Sequence, residues 1–290
     1  VDSARRSPSI ERLQYLWLFR MVFTPHPLAE RMTIAWHGHY ATSNQKVNDP
    51  ISMLEQNLTQ RELWRAPMSK LLLAMLRDPA MLLWLDGIGS TKDRPNENLG
   101  REFLELFALG EGHYTERDVR EVARALTGWV VRRGDRQLPV LDVSDHDAGA
   151  KAILGETGPW AVEDVVRIAC RQPAAASHVA RLLYRTFVSD VEPPSDELIA
   201  PLADAMRIPG DVEVVRGIET ILRSRLFHSE ACRGRHVKSP AAFAVGAIRS
   251  CEVFSPRPTS WTWNPPDPDG PAALPPAERR GVAGRARVAP

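Results

Sequence analysis

Helical periodicity runs almost without a break from Ile10 to Arg249, and prolines punctuate it where helices start or stop. Ile10–Phe23 is strongly apolar at helical spacing. Pro25 and Pro27 break it, and Pro27 suits the first turn of a second helix, Leu28 to about His37, ending near Gly38. Further helices are predicted at Ile51–Trp64, Pro67–Arg77, Pro79–Leu85 and Glu97–Leu109. Thr115 and Asp118 form a capping pattern for a helix that stops at Gly128. Helices resume at Val162–Arg171, Pro173–Val188, Asp196–Met206, Val212–Arg223 and Pro240–Ser250. The stretch between Gly128 and Gly155 is irregular, with a short strand pair expected around Val130 and Val140. Strand signals are too few for a sheet-based core, so the expected fold is all-α: a multi-helix globular bundle with an irregular loop region near 128–155.

Residues 1–254 read as one helical domain. Residues 255–290 are rich in Pro, Gly, Arg and Ala without an apolar period, the composition of a disordered tail. The sequence opens on Val1 with a helix following within ten residues, which reads as a start inside a domain. No signal peptide precedes that helix, and the cellular location stays open.

Composition removes several function classes. Of 290 residues, 43% are hydrophobic and 25% charged, the balance of a globular chain. A net charge of +1 supplies no general field for nucleic acid, and basic residues do not share a stripe with aromatics. No apolar run reaches the ~18–20 residues of a membrane span. Cys170, Cys232 and Cys251 are odd in number and far apart, so neither a disulfide framework nor a zinc motif is indicated. P-loop, dinucleotide-glycine, H-E-x-x-H and G-x-S-x-G signatures are absent.

One helix carries acids where a packed helix should not. In Glu97–Leu109, Leu99, Phe103 and Leu106 share a face at i, i+4, i+7, and Leu104, Phe107 and Ala108 widen the apolar surface. Asn98, Glu102 and Glu105 form a stripe of their own. A helix packed on more than one side encloses its carboxylates, and enclosed carboxylates need a partner, a metal or a proton. The plainer reading is a set of i, i+4 pairs, Glu97–Arg101 and Arg101–Glu105, on a solvated face.

Two histidines, His37 and His39, flank Gly38. A helix end at Gly38 would let them converge, and neutral imidazoles with carboxylates suit a divalent transition metal such as zinc, iron or manganese. Asp145-His146-Asp147 lies in the irregular stretch, where it can bind a cation or simply form a turn. His113 and Tyr114, in the glycine turn after the acid helix, are weaker candidates.

These segments together resemble the bacterial "domain of unknown function 1800" family. The matching stretches are W-H-G-H-Y-A-T-S at Trp36–Ser43, N-E-N-L-G-R-E-F-L-E-L-F-A-L-G at Asn96–Gly110 and G-H-Y-T-E-R-D-V-R-E-V-A-R-A-L-T-G-W at Gly112–Trp129. H-D-A-G-A-K-A-I-L-G at His146–Gly155 and V-K-S-P-A-A-F-A-V-G-A-I-R at Val237–Arg249 fit as well. The resemblance implies a mostly helical protein. It also implies a protein partner from a phosphatase-like exported family, whose genes lie beside those of this family. Ala148 stands where the family commonly has proline, and helices that usually precede this starting point are missing. So are M-G-Q and P-P-x-V-x-G-W-x-G, the family's usual C-terminal motifs. Back-translation of Asp269–Pro271 and Ala277–Gly284 with suitable codons, shifted by one base, restores M-G-Q and G-W-P-G in order. The tail from about Ser255 is therefore expected to be a frame-shifted remnant; coding DNA without those motifs in the +1 frame would end the idea.

Two functions are compatible with these residues. The first is a metal-dependent enzyme, a hydrolase or an oxidoreductase, with Glu102 and Glu105 as acid and base and His37, His39 and His146 as metal ligands. The second is a non-catalytic helical partner that binds or escorts an exported protein, with the same residues fixing helix packing. They differ in whether Glu102 and Glu105 look at the histidines or at Arg101, Arg120 and Arg124.

Overall fold

The computed structural model describes residues 9–132, 138–230 and 232–251. The helices in chain order are α1 (Ile10–Phe23), α2 (Pro27–Tyr40), α3 (Asn44–Val47), α4 (Pro50–Glu62), α5 (Met68–Leu76) and α6 (Pro79–Trp84). α7 (Glu97–Glu102) runs directly into a π-helical segment, Phe103–Ala108, and is followed by α8 (Glu116–Ala125). The second half holds α9 (Val162–Arg171), α10 (Pro173–Phe187), α11 (Asp196–Met206), α12 (Val214–Arg223) and α13 (Pro240–Ser250).

The fold is mostly helical but not purely so. Three antiparallel hairpins interrupt the helices: β1 (Trp129–Arg132) with β2 (Leu138–Leu141), β3 (Lys151–Ile153) with β4 (Glu156–Gly158), and β5 (Arg207–Ile208) with β6 (Asp211–Val212). The first pairs Val130 with Val140, where the alternation of residues placed it. The other two are strands of two or three residues, too short for a period of two to show. The expected tail over 255–290 lies outside the described residues.

Local chemistry sets the helix boundaries. Pro27, Pro50, Pro79, Pro173 and Pro240 all occupy first-turn positions, where a missing N–H costs nothing. Ser9, Asp49, Asn96 and Ser195 accept the backbone N–H groups that a helix start leaves unpaired. Before α8, Thr115 Oγ1 accepts from Asp118 N at 3.2 Å and Asp118 Oδ2 accepts from Thr115 N at 2.9 Å, a complete reciprocal box.

Among the described residues a main core encloses Met32, Trp36, Phe103, Leu104, Leu183 and Met206, and a small second cluster packs Leu13 of α1 on Leu54 of α4. α2 is anchored to its neighbours by a buried charge cluster. Glu30 accepts from Arg61 of α4 at 2.7 and 3.0 Å and from the Trp17 indole of α1 at 3.1 Å. Removing one partner of such a cluster strands a charge in the interior, so the cluster holds α2 in a single position. A second polar chain links the α3 side to α6: Thr42 donates to Gln56, Gln56 Nε2 donates to Asp78 Oδ1 at 2.7 Å, and Asp78 caps α6 through Met81 N at 2.9 Å. Burial pushes the Asp78 carboxyl up to about 7.

Candidate functional site

The acid helix keeps its place because Gly100 sits on α8. A Cβ there would fall 2.6 Å from the Val119 carbonyl oxygen, which belongs to backbone and cannot step aside. α7 therefore packs on α8 at a distance only glycine permits. From Phe103 the helix widens: Leu109 N and Gly110 N both reach back to the Leu104 carbonyl, at 2.9 and 3.3 Å. Single π turns of this kind are rare and concentrate at functional sites.

The widened turn rotates the residues after it. Periodicity put Leu106 on the buried face with Leu99 and Phe103, yet Leu106 is 46% exposed while Leu99 and Phe103 are at 2% and 0%. One extra residue per turn moves Leu106 outward. Glu102 and Glu105 are both half-buried. Glu105 accepts the Tyr114 hydroxyl at 2.6 Å. Burial, then the Glu105 charge, raises the Glu102 carboxyl above its usual range, with Arg101 opposing. The expected Arg101–Glu105 pair does not form: Arg101 instead makes a bidentate contact to Glu116, at the start of α8, at 2.8 and 2.7 Å. Arg124 is engaged with Asp147 and Glu121.

Two imidazoles from other helices, His39 of α2 and His178 of α10, reach the end of the same segment. A helix leaves its last carbonyls without partners. Here the Leu106 carbonyl accepts His178 Nε2 at 2.8 Å, and the Phe107 carbonyl accepts His39 Nε2 at 3.3 Å. The two rings lie 5.4 Å apart between centroids. Burial, and then the neighbouring His178, pushes His39 down to about 3, so it is neutral across the physiological range. Burial lowers His178 as well.

His37 and His146 are placed elsewhere. α2 does not stop at Gly38; it continues to Tyr40 and ends at Ala41, whose φ of 45° is left-handed. Two residues apart on a continuous helix, His37 and His39 point to different sides. His37 meets the Trp17 ring edge-on at 5.2 Å. His146 Nδ1 donates to the Thr127 carbonyl at 3.0 Å, and its neighbour Asp147 pairs with Arg124 at 2.7 Å. That loop is tightened by Lys151, which is 1% exposed and donates to the Asp147 and Gly149 carbonyls. Among the described residues no three His, Cys, Asp or Glu side chains stand close enough together to hold a metal ion.

The five residues read from the sequence thus divide. Glu102 and Glu105 lie on the acid helix, and His39 of α2 reaches its last turn through the Phe107 carbonyl, while His37 and His146 do not meet it. Sequence reasoning missed His178; its only signal is one imidazole amid the alanines and leucines of α10. Tyr114, a weak candidate by sequence, holds a carboxylate. Clefts of about 270 Å³ occur at Ser69, Lys70 and Asp211 and at Glu55, Arg77 and Asp78, away from this segment. The candidate site is placed on the π turn because Glu102 and Glu105, read from the sequence, lie there and His39 reaches its last carbonyls.

A family model described as "Protein of unknown function (DUF1800)" matches residues 2–275. The chain belongs to this family. The match contains all the motifs above and runs past Arg249 into the 255–290 stretch. No curated protein and no solved structure matches the chain. No helix of the described residues is long and apolar enough to cross a membrane.

The perturbed groups predict an acid response. A histidine with a depressed folded-state value adds stability that is complete above about pH 6.5 and fades as pH falls toward 3, up to roughly 4–5 kcal/mol for His39. Asp78, raised to about 7, works oppositely: its contribution is full below about pH 4 and fades as pH rises to 7. Between pH 5 and 7 the Asp78 slope opposes that of the lowered histidines His37, His39 and His178. Asp78→Asn keeps the oxygen that caps α6 and removes the titration. Urea unfolding should then show the variant losing about 2 kcal/mol more than the wild type as pH falls from 7 to 5. Parallel curves for the two proteins would refute the assignment.

Proposed function

We propose that this chain is a metal-dependent enzyme, a hydrolase or an oxidoreductase, whose centre is the π turn. Glu102 and Glu105 serve as proton donor and acceptor, and His39 serves as a ligand to a divalent transition metal. The observation that carries the reading is one widened helical segment that bears two carboxylates and whose Phe107 carbonyl is met by the neutral imidazole of His39 from α2. Paired carboxylates in different environments are the usual way to obtain an acid and a base near neutral pH. Glu102 has the raised value of the acid, and Glu105 has a hydroxyl partner that holds it in place. A neutral imidazole with one nitrogen donating to a carbonyl has the form of a metal-ligating histidine. The bound metal would supply Lewis acidity or redox chemistry; the chain supplies orientation and proton transfer.

A second reading has its own observation. Tyr15, Phe19 and Phe23 run along α1 at 50%, 41% and 44% exposure, and Phe243 of the adjacent α13 is 66% exposed. Such a surface suits a non-catalytic partner of an exported protein, for instance one of the phosphatase-like family.

Elemental analysis and metal titration of the purified chain separate the two. The enzyme reading expects about one zinc, iron or manganese per chain and turnover of ester, phosphoester or redox dye substrates that depends on it. A folded chain that takes up no metal and turns over nothing with or without it would remove the enzyme reading.

A further inference from the structure

The two carboxyls of the acid helix are held unequally. Glu105 and Tyr114 stand on either side of the turn L-G-E-G-H. Gly110 and Gly112 take φ of 86° and 79° there, which side chains disfavour. The chain folds back until the Tyr114 hydroxyl donates to Glu105 Oε2 at 2.6 Å. Among the described residues no other hydrogen bond reaches the Glu105 carboxyl, and none reaches that of Glu102. Burial, then the bond to Glu105, pushes the Tyr114 hydroxyl up to about 12, so it stays a donor wherever carboxyls titrate. A donor fixed on one carboxyl of a pair favours the charge there and leaves the proton to the other.

We propose, resting on the reading of this turn as an acid–base site, that Tyr114 is its positioning residue: the hydroxyl keeps Glu105 ionised as the base and so leaves the proton on Glu102, the acid. Tyr114 acts through Glu105. The raised Glu102 carboxyl accords with this, since its causes are burial and then the Glu105 charge. Arg101 works against it by favouring an ionised Glu102, but its guanidinium is bound through two nitrogens to Glu116 of α8, which Arg120 also faces. The imidazoles of His39 and His178 bond the Phe107 and Leu106 carbonyls further along, with His113 beside His178. None of these donates to either carboxyl of the pair. The choice between Glu102 and Glu105 falls to one hydroxyl that two left-handed glycines bring into place.

The test is carboxyl NMR of the full chain with 13C-labelled glutamate, titrated without substrate. Two variants are compared with the wild type: Tyr114→Phe, and a chain with 3-fluorotyrosine at position 114. Phenylalanine keeps the ring and removes the donor, so Glu105 takes a share of the proton. The Glu102 midpoint should then fall by about 0.5, the weight of one charge ~5–6 Å away in a solvated setting, and its curve should broaden into the two steps of a shared proton. 3-Fluorotyrosine is a more acidic phenol and a stronger donor, so Glu102 should stay at or above its wild-type midpoint. A Glu102 curve that is the same in Tyr114→Phe and wild type would overturn the proposal. So would a fall with 3-fluorotyrosine matching that with phenylalanine, which would report a disturbed turn and not a lost donor. Turnover is read separately. A shifted Glu102 in a chain that turns over nothing would leave the proton placement standing and remove the enzyme, whereas turnover with an unmoved Glu102 would do the reverse.

Discussion

Glu105→Gln is expected to lower turnover by about 100- to 10,000-fold on any substrate the chain acts on, the usual loss when a positioned acid or base is removed. The amide oxygen still accepts the Tyr114 hydroxyl, so the turn keeps its shape and the melting temperature should move by no more than a few degrees. The substitution also removes the second-largest cause of the raised Glu102 value. Glu102 should then ionise at lower pH, and the limb of the pH–rate profile that reports it should shift the same way. Carboxyl 13C NMR reads that shift without any substrate. An unchanged Glu102 titration would show that the two side chains do not interact, and unchanged turnover would take Glu105 out of the chemistry.

The second large effect is on stability. Phe103→Ala should cost about 3–5 kcal/mol, because a fully enclosed aromatic side chain at 0% exposure is replaced by a void that the core cannot close. For a chain of this size that lowers the melting temperature by about 10 °C. Leu106→Ala should cost under about 0.5 kcal/mol, since Leu106 is 46% exposed. An ordinary α-helix would place both residues on the buried stripe. Comparable losses in the two variants, measured by denaturant unfolding, would mean that the helix does not widen at Phe103.

The legibility of this chain follows the range of the forces involved. Helix starts were readable because prolines, capping side chains and apolar spacing act within one or two turns; Ile10–Phe23, Val162–Arg171, Asp196–Met206 and Pro240–Ser250 end where their own residues end them. The Thr115–Asp118 box is local in the same sense. The stop of α2 was not readable, because glycine only weakens a helix and packing around Trp36 and Tyr40 carries α2 past Gly38. The hairpins at Lys151–Gly158 and Arg207–Val212 were missed because they contain too few residues to express an alternation.

The sequence by itself determined a mostly helical chain, the family, and which helix bears misplaced acids. Each of these depends on residue order over short distances or on long motifs. The tertiary structure alone decided the partners of those acids. It gave Arg101 to Glu116 and Tyr114 to Glu105. It separated His37 and His146 from His39 and brought in His178, which lies 139 positions further along the chain. Those pairings are set by how helices stack and by one widened turn, and neither stacking nor the width of a turn leaves a periodic trace in the order of residues.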